Sequence, residues 1–214
     1  MKKKNTYTAC AVVCTLLLTG CQSEETEPVN LVVSVDVSSP SEERLTGYGT
    51  SLYRAQRKLG EDSSLSVRTF AHSGETVYEG PRIAGRGKYN ERIGSELLKA
   101  HGKERERGTR SELSLERAAD SVELSTLLTV AVLYTDGGVE DQSQVVRETI
   151  ARSVERLAEC KQLVAIVVWG VLPEHRDLWK DWLSPLGDRA YVRGSNDADF
   201  LLAELLETAK AGGA

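Results

Sequence analysis

Three short polar clusters in this sequence combine acids with hydroxyls: Asp36-Val37-Ser38-Ser39-Pro40-Ser41, Gly108-Thr109-Arg110-Ser111, and Thr135-Asp136-Gly137. Carboxylates and hydroxyls offer only hard oxygen donors. Such donors suit Mg²⁺, Mn²⁺ or Ca²⁺, and Mg²⁺ keeps several of its own waters, so few protein groups suffice. Each cluster also has a plainer reading. Thr109 could cap the helix that follows it, and Asp136-Gly137 is ordinary turn chemistry. Ser39 as N-cap, Pro40 at the first helical position and Glu42 two residues on make a capping box that competes with any ligand role for Ser39. Other chemistry is poorly served. His72, His101 and His175 are scattered with no ligand spacing and read as surface or hairpin residues. Neither a Gly-x-Ser-x-Gly elbow nor a Gly-x-x-x-x-Gly-Lys loop occurs, and no dinucleotide glycine fingerprint follows the first strand.

The elements that must position these clusters alternate along the chain. Leu31-Val32-Val33-Ser34-Val35 is a buried parallel strand ending at Asp36. Leu45, Tyr48, Leu52, Ala55 and Leu59 form a helical stripe stopped by Gly60. Leu65 to Phe70 and Glu75 to Glu79, joined through His72-Ser73-Gly74, read as a hairpin that adds one antiparallel edge strand. Residues 81–108 are less regular. Ile93, Leu97 and Leu98 suggest a helix, Gly85, Gly87, Gly94, Gly102 and Gly108 break it up, and residues 103–107 are a charged surface. A helix through Leu115, Ala118, Ala119 and Val122 leads to a strand at Leu127–Tyr134. Then come a helix through Val146, Ile150, Val154 and Leu157, a strand at Leu163–Trp169, a helix near Pro173–Leu183, a short strand at Arg189–Val192 and a last helix with Leu201, Leu202, Leu205 and Ala209. Trp179 and Trp182, three apart, are expected to face the core together. The pattern is a single α/β domain: a mostly parallel central sheet with one antiparallel edge strand and helices on both faces. In such sheets ligands bind beyond the carboxyl ends of the strands, where all three clusters lie.

At these residues the chain resembles a von Willebrand factor A domain, over about Asn30 to Thr208. The resemblance implies that family's three-layer, Rossmann-like fold and its metal-ion-dependent adhesion site. Asp36 and Ser38 match the Asp-x-Ser-x-Ser motif, Thr109 the loop threonine before the third helix, and Asp136 the aspartate of the Thr-Asp-Gly turn. The resemblance therefore implies Asp36, Ser38, Thr109 and Asp136 as ligands of Mg²⁺ (or Mn²⁺ or Ca²⁺). It also implies a protein partner whose carboxylate completes the coordination. One position departs from the pattern. Pro40 stands where the motif has its second serine and brings no hydroxyl, which implies weaker binding or a metal-free interaction scaffold. A third alternative is a metal-dependent phosphohydrolase, since an aspartate after the first strand also opens the haloacid-dehalogenase-like motif Asp-x-Asp. Ser38 occupies the place of the second acid, so the general acid is missing and the chain is not expected to be an enzyme.

The N-terminus predicts where this domain works. Lys2, Lys3 and Lys4 precede an apolar run from about Ala9 to Leu18, shorter than the roughly 20 residues of a membrane span. Leu18-Thr19-Gly20-Cys21 resembles a lipobox. It predicts a signal peptide over residues 1–20, lipid (palmitate among it) on Cys21, and an acidic tether over residues 21–29 ahead of a domain at residues 30–214. Gln22 after the cysteine implies delivery to the outer membrane if the host has one, with the domain on the periplasmic or cell-surface side. Nine extended residues reach only about 30 Å, so the domain stays near the membrane surface. Removing residues 1–20, which carry three lysines and no acids, moves the formal charge from −5 to −8 and leaves 194 residues, enough for a substantial core. That acidity argues against nucleic acid and against direct adsorption on anionic lipid. An unidentified envelope or extracellular protein is the expected partner. Cys10 and Cys14 leave with the signal and Cys21 carries lipid, so Cys160 stays alone: no disulfide and no cysteine zinc site is expected. At the end of an amphipathic helix it reads as a small buried hydrophobe sooner than as a catalytic thiol.

Overall fold

The computed structural model of the chain describes residues 27–38, 42–104, 108–139, 141–194 and 200–211. The expected signal peptide and the expected lipidation site Cys21 lie outside the described residues, as do Ser39, Pro40 and Ser41 with the capping box expected there. Six strands form one sheet in the order β3-β2-β1-β4-β5-β6: β1 (Val29–Asp36), β2 (Ser64–Phe70), β3 (Thr76–Pro81), β4 (Leu128–Tyr134), β5 (Leu163–Trp169) and β6 (Ala190–Arg193). Every neighbouring pair is parallel except β2 with β3, the antiparallel edge hairpin. This is the expected fold class.

Both faces are covered, because the central strands are apolar at consecutive positions. On β4, Val130, Val132 and Tyr134 point to one side, toward α1 (Glu42–Gln56), α3 (Ser95–Glu104) and α7 (Phe200–Lys210). Ala131 and Leu133 point to the other, toward α4 (Ser111–Glu123), α5 (Gln144–Glu159) and α6 (Arg176–Leu183). A strand flanked by two helical layers must be hydrophobic on every residue, and the sequence reads that way. Cys160 caps the C-terminus of α5 and is buried in the second of these cores, in the apolar role expected of it.

Three local expectations are corrected. Strand β1 starts at Val29, earlier than its apolar run, because the Val29 amide is held by Ser63 Oγ at 3.0 Å. Glycines do not break up residues 86–104. There α2 (Arg86–Tyr89) runs through a π turn (Asn90–Gly94) into α3, and the wider turn keeps Tyr89, Ile93 and Leu97 all facing the core. His101 is not at the surface: it is buried on α3, with Nδ1 2.9 Å from the Val37 carbonyl. As expected, the two tryptophans of α6 face the second core together. Trp179 is fully buried, while Trp182 is half-buried and packs edge-on against it at 5.4 Å. Among the described residues no helix is long and apolar enough to cross a membrane.

Candidate metal centre

The chain leaves β1 toward β2 on one side and returns to β4 on the other, so β1 and β4 are neighbours at the point where the winding reverses. Their parallel register sets Val35 opposite Tyr134. It therefore brings Asp36 and Thr135, one residue further on, to the same edge, where loops diverge and leave a crevice. Asp36 is fully buried there. Its Oδ1 accepts from the Ser38 amide at 2.9 Å and from the Ser38 hydroxyl at 2.5 Å. Its Oδ2 accepts from Thr135 Oγ1 at 2.9 Å.

Thr109 arrives from a third direction. The Arg110 amide donates to the Ala71 carbonyl just beyond β2 at 3.1 Å, which ties the loop before α4 to the sheet. The N-cap of α4 is Arg110, with no side-chain capping bond, so Thr109 does not serve as the cap. Its hydroxyl instead makes a hydrogen bond with Ser38 Oγ. Asp136 follows Thr135. One of its oxygens accepts from the Gly138 amide at 2.9 Å and the other lies 3.3 Å from Arg44 Nη1. The turn is held from behind: Gly137 donates to Thr135 Oγ1 at 3.0 Å, and Trp179 Nε1 donates to the Gly137 carbonyl at 3.1 Å. Gly137 has φ +88°, and a Cβ there would come within 2.7 Å of Val171 Cγ1. The glycine is demanded by both the turn and the packing behind it.

Burial raises the Asp36 carboxyl to about 6, against the lowering pull of its bonds from Ser38 and Thr135, and the nearby Asp136 charge adds to the rise. Among the described residues Asp36 has no ion-pair partner. A buried carboxylate held by neutral donors alone favours a cation beside it.

The protein donors fit a hard divalent ion. Two carboxylates and two hydroxyls meet at one edge, all oxygen, and the Ser38 and Thr109 hydroxyls are already in contact with each other. Ser111, two residues beyond Thr109, has a buried hydroxyl with no hydrogen-bond partner among the described residues. No three His, Cys, Asp or Glu side chains gather as a metal set among those residues, so any site here depends on hydroxyls.

The four residues expected from the sequence thus come to one edge. Three participants were not foreseen as such. Thr135 stood in the quoted turn, but only strand register shows that its hydroxyl reaches Asp36. Arg44 is eight residues past Asp36 on α1, with nothing local to mark it. His101 braces the β1 loop through Val37 from a helix whose burial the glycines obscured.

Comparison with known proteins agrees with the fold. Neither a family model nor a curated protein matches the sequence. Solved structures do. A von Willebrand factor type A protein from Catenulispora acidiphila superposes with a TM-score of 0.57 at 16% identity, covering 87% of this chain and 42% of that one. The chain has the von Willebrand factor A fold. The PilB minor pilin from Streptococcus sanguinis superposes with a TM-score of 0.59 at 15% identity, over 88% of this chain and 62% of the pilin. This chain therefore spans less than two thirds of these two relatives. Proximal thread matrix protein 1 from the mussel byssus, with a zinc-occupied metal-ion-dependent adhesion motif, gives 0.51 at 12% identity, over 86% and 46% of the two chains. At such identities the von Willebrand factor A fold is what is shared, and the site must be argued from this chain's own residues.

Proposed function

We propose that this chain is a membrane-anchored cell-envelope lipoprotein whose von Willebrand-like domain binds a protein partner through a divalent cation held by Asp36, Ser38, Thr109 and Asp136. The observation that carries this reading is the meeting of the Asp36 carboxylate with the hydroxyls of Ser38 and Thr109, from chain segments some seventy residues apart. A partner carboxylate would complete the coordination sphere, so the reading expects an acidic contact residue on the partner. The two proteins that share the fold are named as a minor pilin and a byssal thread matrix protein, not as enzymes. With Ser38 where a phosphohydrolase needs its second acid, binding without turnover is the better account.

The site lies at the C-terminal end of β1, and an anchor on Cys21 would join the chain ahead of its N-terminal end. The strand runs from Val29 to Asp36, about 25 Å at the usual rise per residue. Lipid on Cys21, eight residues before Val29, would hold the N-terminal end of the sheet at the membrane and turn the site away from it, toward partners in the surrounding space.

Two observations favour a metal-free scaffold instead: Arg44 already pairs with Asp136, and Pro40 brings no hydroxyl. The readings separate in one experiment. Millimolar Mg²⁺ or Mn²⁺ is expected to raise the melting temperature, and Asp36→Ala to abolish the rise. Retention of an envelope protein by wild type in metal but not in chelator, and not by Asp36→Ala, would complete the case. No shift with either ion sinks the metal-bridged reading and leaves the scaffold.

A further inference from the structure

Arg44 is the third residue of α1, and its guanidinium lies 3.3 Å from Asp136 Oδ2. The two side chains are 29% and 20% exposed, so solvent reaches the pair and the contact is breakable. The second Asp136 oxygen is taken by the Gly138 amide, which leaves no oxygen of this carboxylate without a partner. Asp36 is arranged differently, with neutral donors on both oxygens. Asp36 and Asp136 are close enough to repel each other, and among the described residues the one ion pair at these two acids is that of Arg44 with Asp136.

We infer that Arg44 is a built-in counter-ion that competes with the divalent cation for Asp136, so that loading the site requires Arg44 to leave that carboxylate. This inference rests on the metal-bridged reading. A cation and a guanidinium on one carboxylate repel each other, and Arg44, 29% exposed on the first turn of α1, is within reach of solvent. Loading is therefore coupled to the rotamer of Arg44. The metal-free protein keeps Asp136 neutralised, so the edge does not present an uncompensated acidic pair to wrong partners.

The alternative role for Arg44 is to position Asp136 for the metal, and it predicts the opposite sign. Manganese(II) binding to the full chain in mild detergent, measured by calorimetry, decides between them. Arg44→Gln removes the charge and keeps polarity, and Arg44→Met serves if Arg44→Gln does not fold. Either variant is expected to bind Mn²⁺ on the order of fivefold more tightly than wild type, from loss of the competing pair and of the repulsion. Arg44→Lys is expected to stay near wild type. A wild type that binds Mn²⁺ measurably but more weakly than Arg44→Gln, with Asp36→Ala added to Arg44→Gln abolishing the binding, supports the inference. Equal or weaker binding by both neutral variants, with wild type binding normally, overturns the competition and leaves the metal site standing. No binding by any of the four proteins overturns both.

Discussion

Asp36→Asn isolates the cost of a buried charge. In the metal-free chain the Asp36 carboxyl is lifted from 3.8 to about 6, first by burial and then by Asp136. A raised acid binds its proton more tightly folded than unfolded. The contribution is therefore fully present below the unfolded value and is lost as pH rises through about 6. About two units at 1.36 kcal/mol each make the full contribution roughly 3 kcal/mol. Between about pH 7.5 and about pH 5 the linkage relation returns about 1.4 kcal/mol of it, or about 3–6 °C in melting temperature for a domain of this size. Asparagine keeps an oxygen to accept from Ser38, and its amide can donate to Thr135, so the geometry should survive without the titration. The assay is urea unfolding in chelator at a series of pH values, wild type beside Asp36→Asn. The wild-type profile is expected to rise by about that amount on acidification relative to the variant, and the variant to be the more stable of the two at pH near 7.5. Parallel profiles would refute the assignment of this cost to Asp36.

Other expectations follow from the same site and from the packing behind it. Because proton and cation compete for Asp36, the stabilising shift from Mn²⁺ should shrink as pH falls from about 7.5 to about 5, as thermal melts across that range would show. Gly137→Ala should cost about 2–4 kcal/mol, since strain at positive φ adds to a clash with Val171. Gly85→Ala, at φ +85° and ψ 137° but in open space, should cost about 1–3 kcal/mol from backbone strain alone, and urea titrations of the two side by side compare strain with and without a packing clash. Burial pushes the Cys160 thiol up, so with Cys10, Cys14 and Cys21 changed to serine it should react with a thiol reagent only near the unfolding midpoint; prompt labelling in native buffer would show the site open. Cys21→Ser should move the chain from the membrane fraction to the soluble one, and a protein that stays membrane-bound and uncleaved rules out the lipid anchor.

Most of the architecture was legible in the residues themselves. The continuous apolar runs of β1, β4 and β5 require a strand covered on both faces, and the three- and four-residue stripes between them require the covering helices. Alternation of the two leaves few ways to connect the chain. Where local reading failed, it failed at residues 86–104, because a π turn absorbs the register that the glycines seemed to break. It failed again at His101, because a polar side chain can be buried wherever a carbonyl such as that of Val37 is waiting for it. The three polar clusters could be picked out because each sits in a turn at the end of a strand or the start of a helix, and the resemblance to the von Willebrand factor A family singled out Asp36, Ser38, Thr109 and Asp136 within them. What those four can do was not in their spacing. Strand register, a property of paired chains, puts Thr135 against Asp36. Burial, a property of the packed whole, raises the Asp36 carboxyl. The pitch of α1 sets Arg44 on Asp136, and so introduces a rival to the very cation the motif suggests. Residue types along the chain determine which oxygens are available, but whether an ion or an arginine holds them depends on distances between segments that meet only in the folded state.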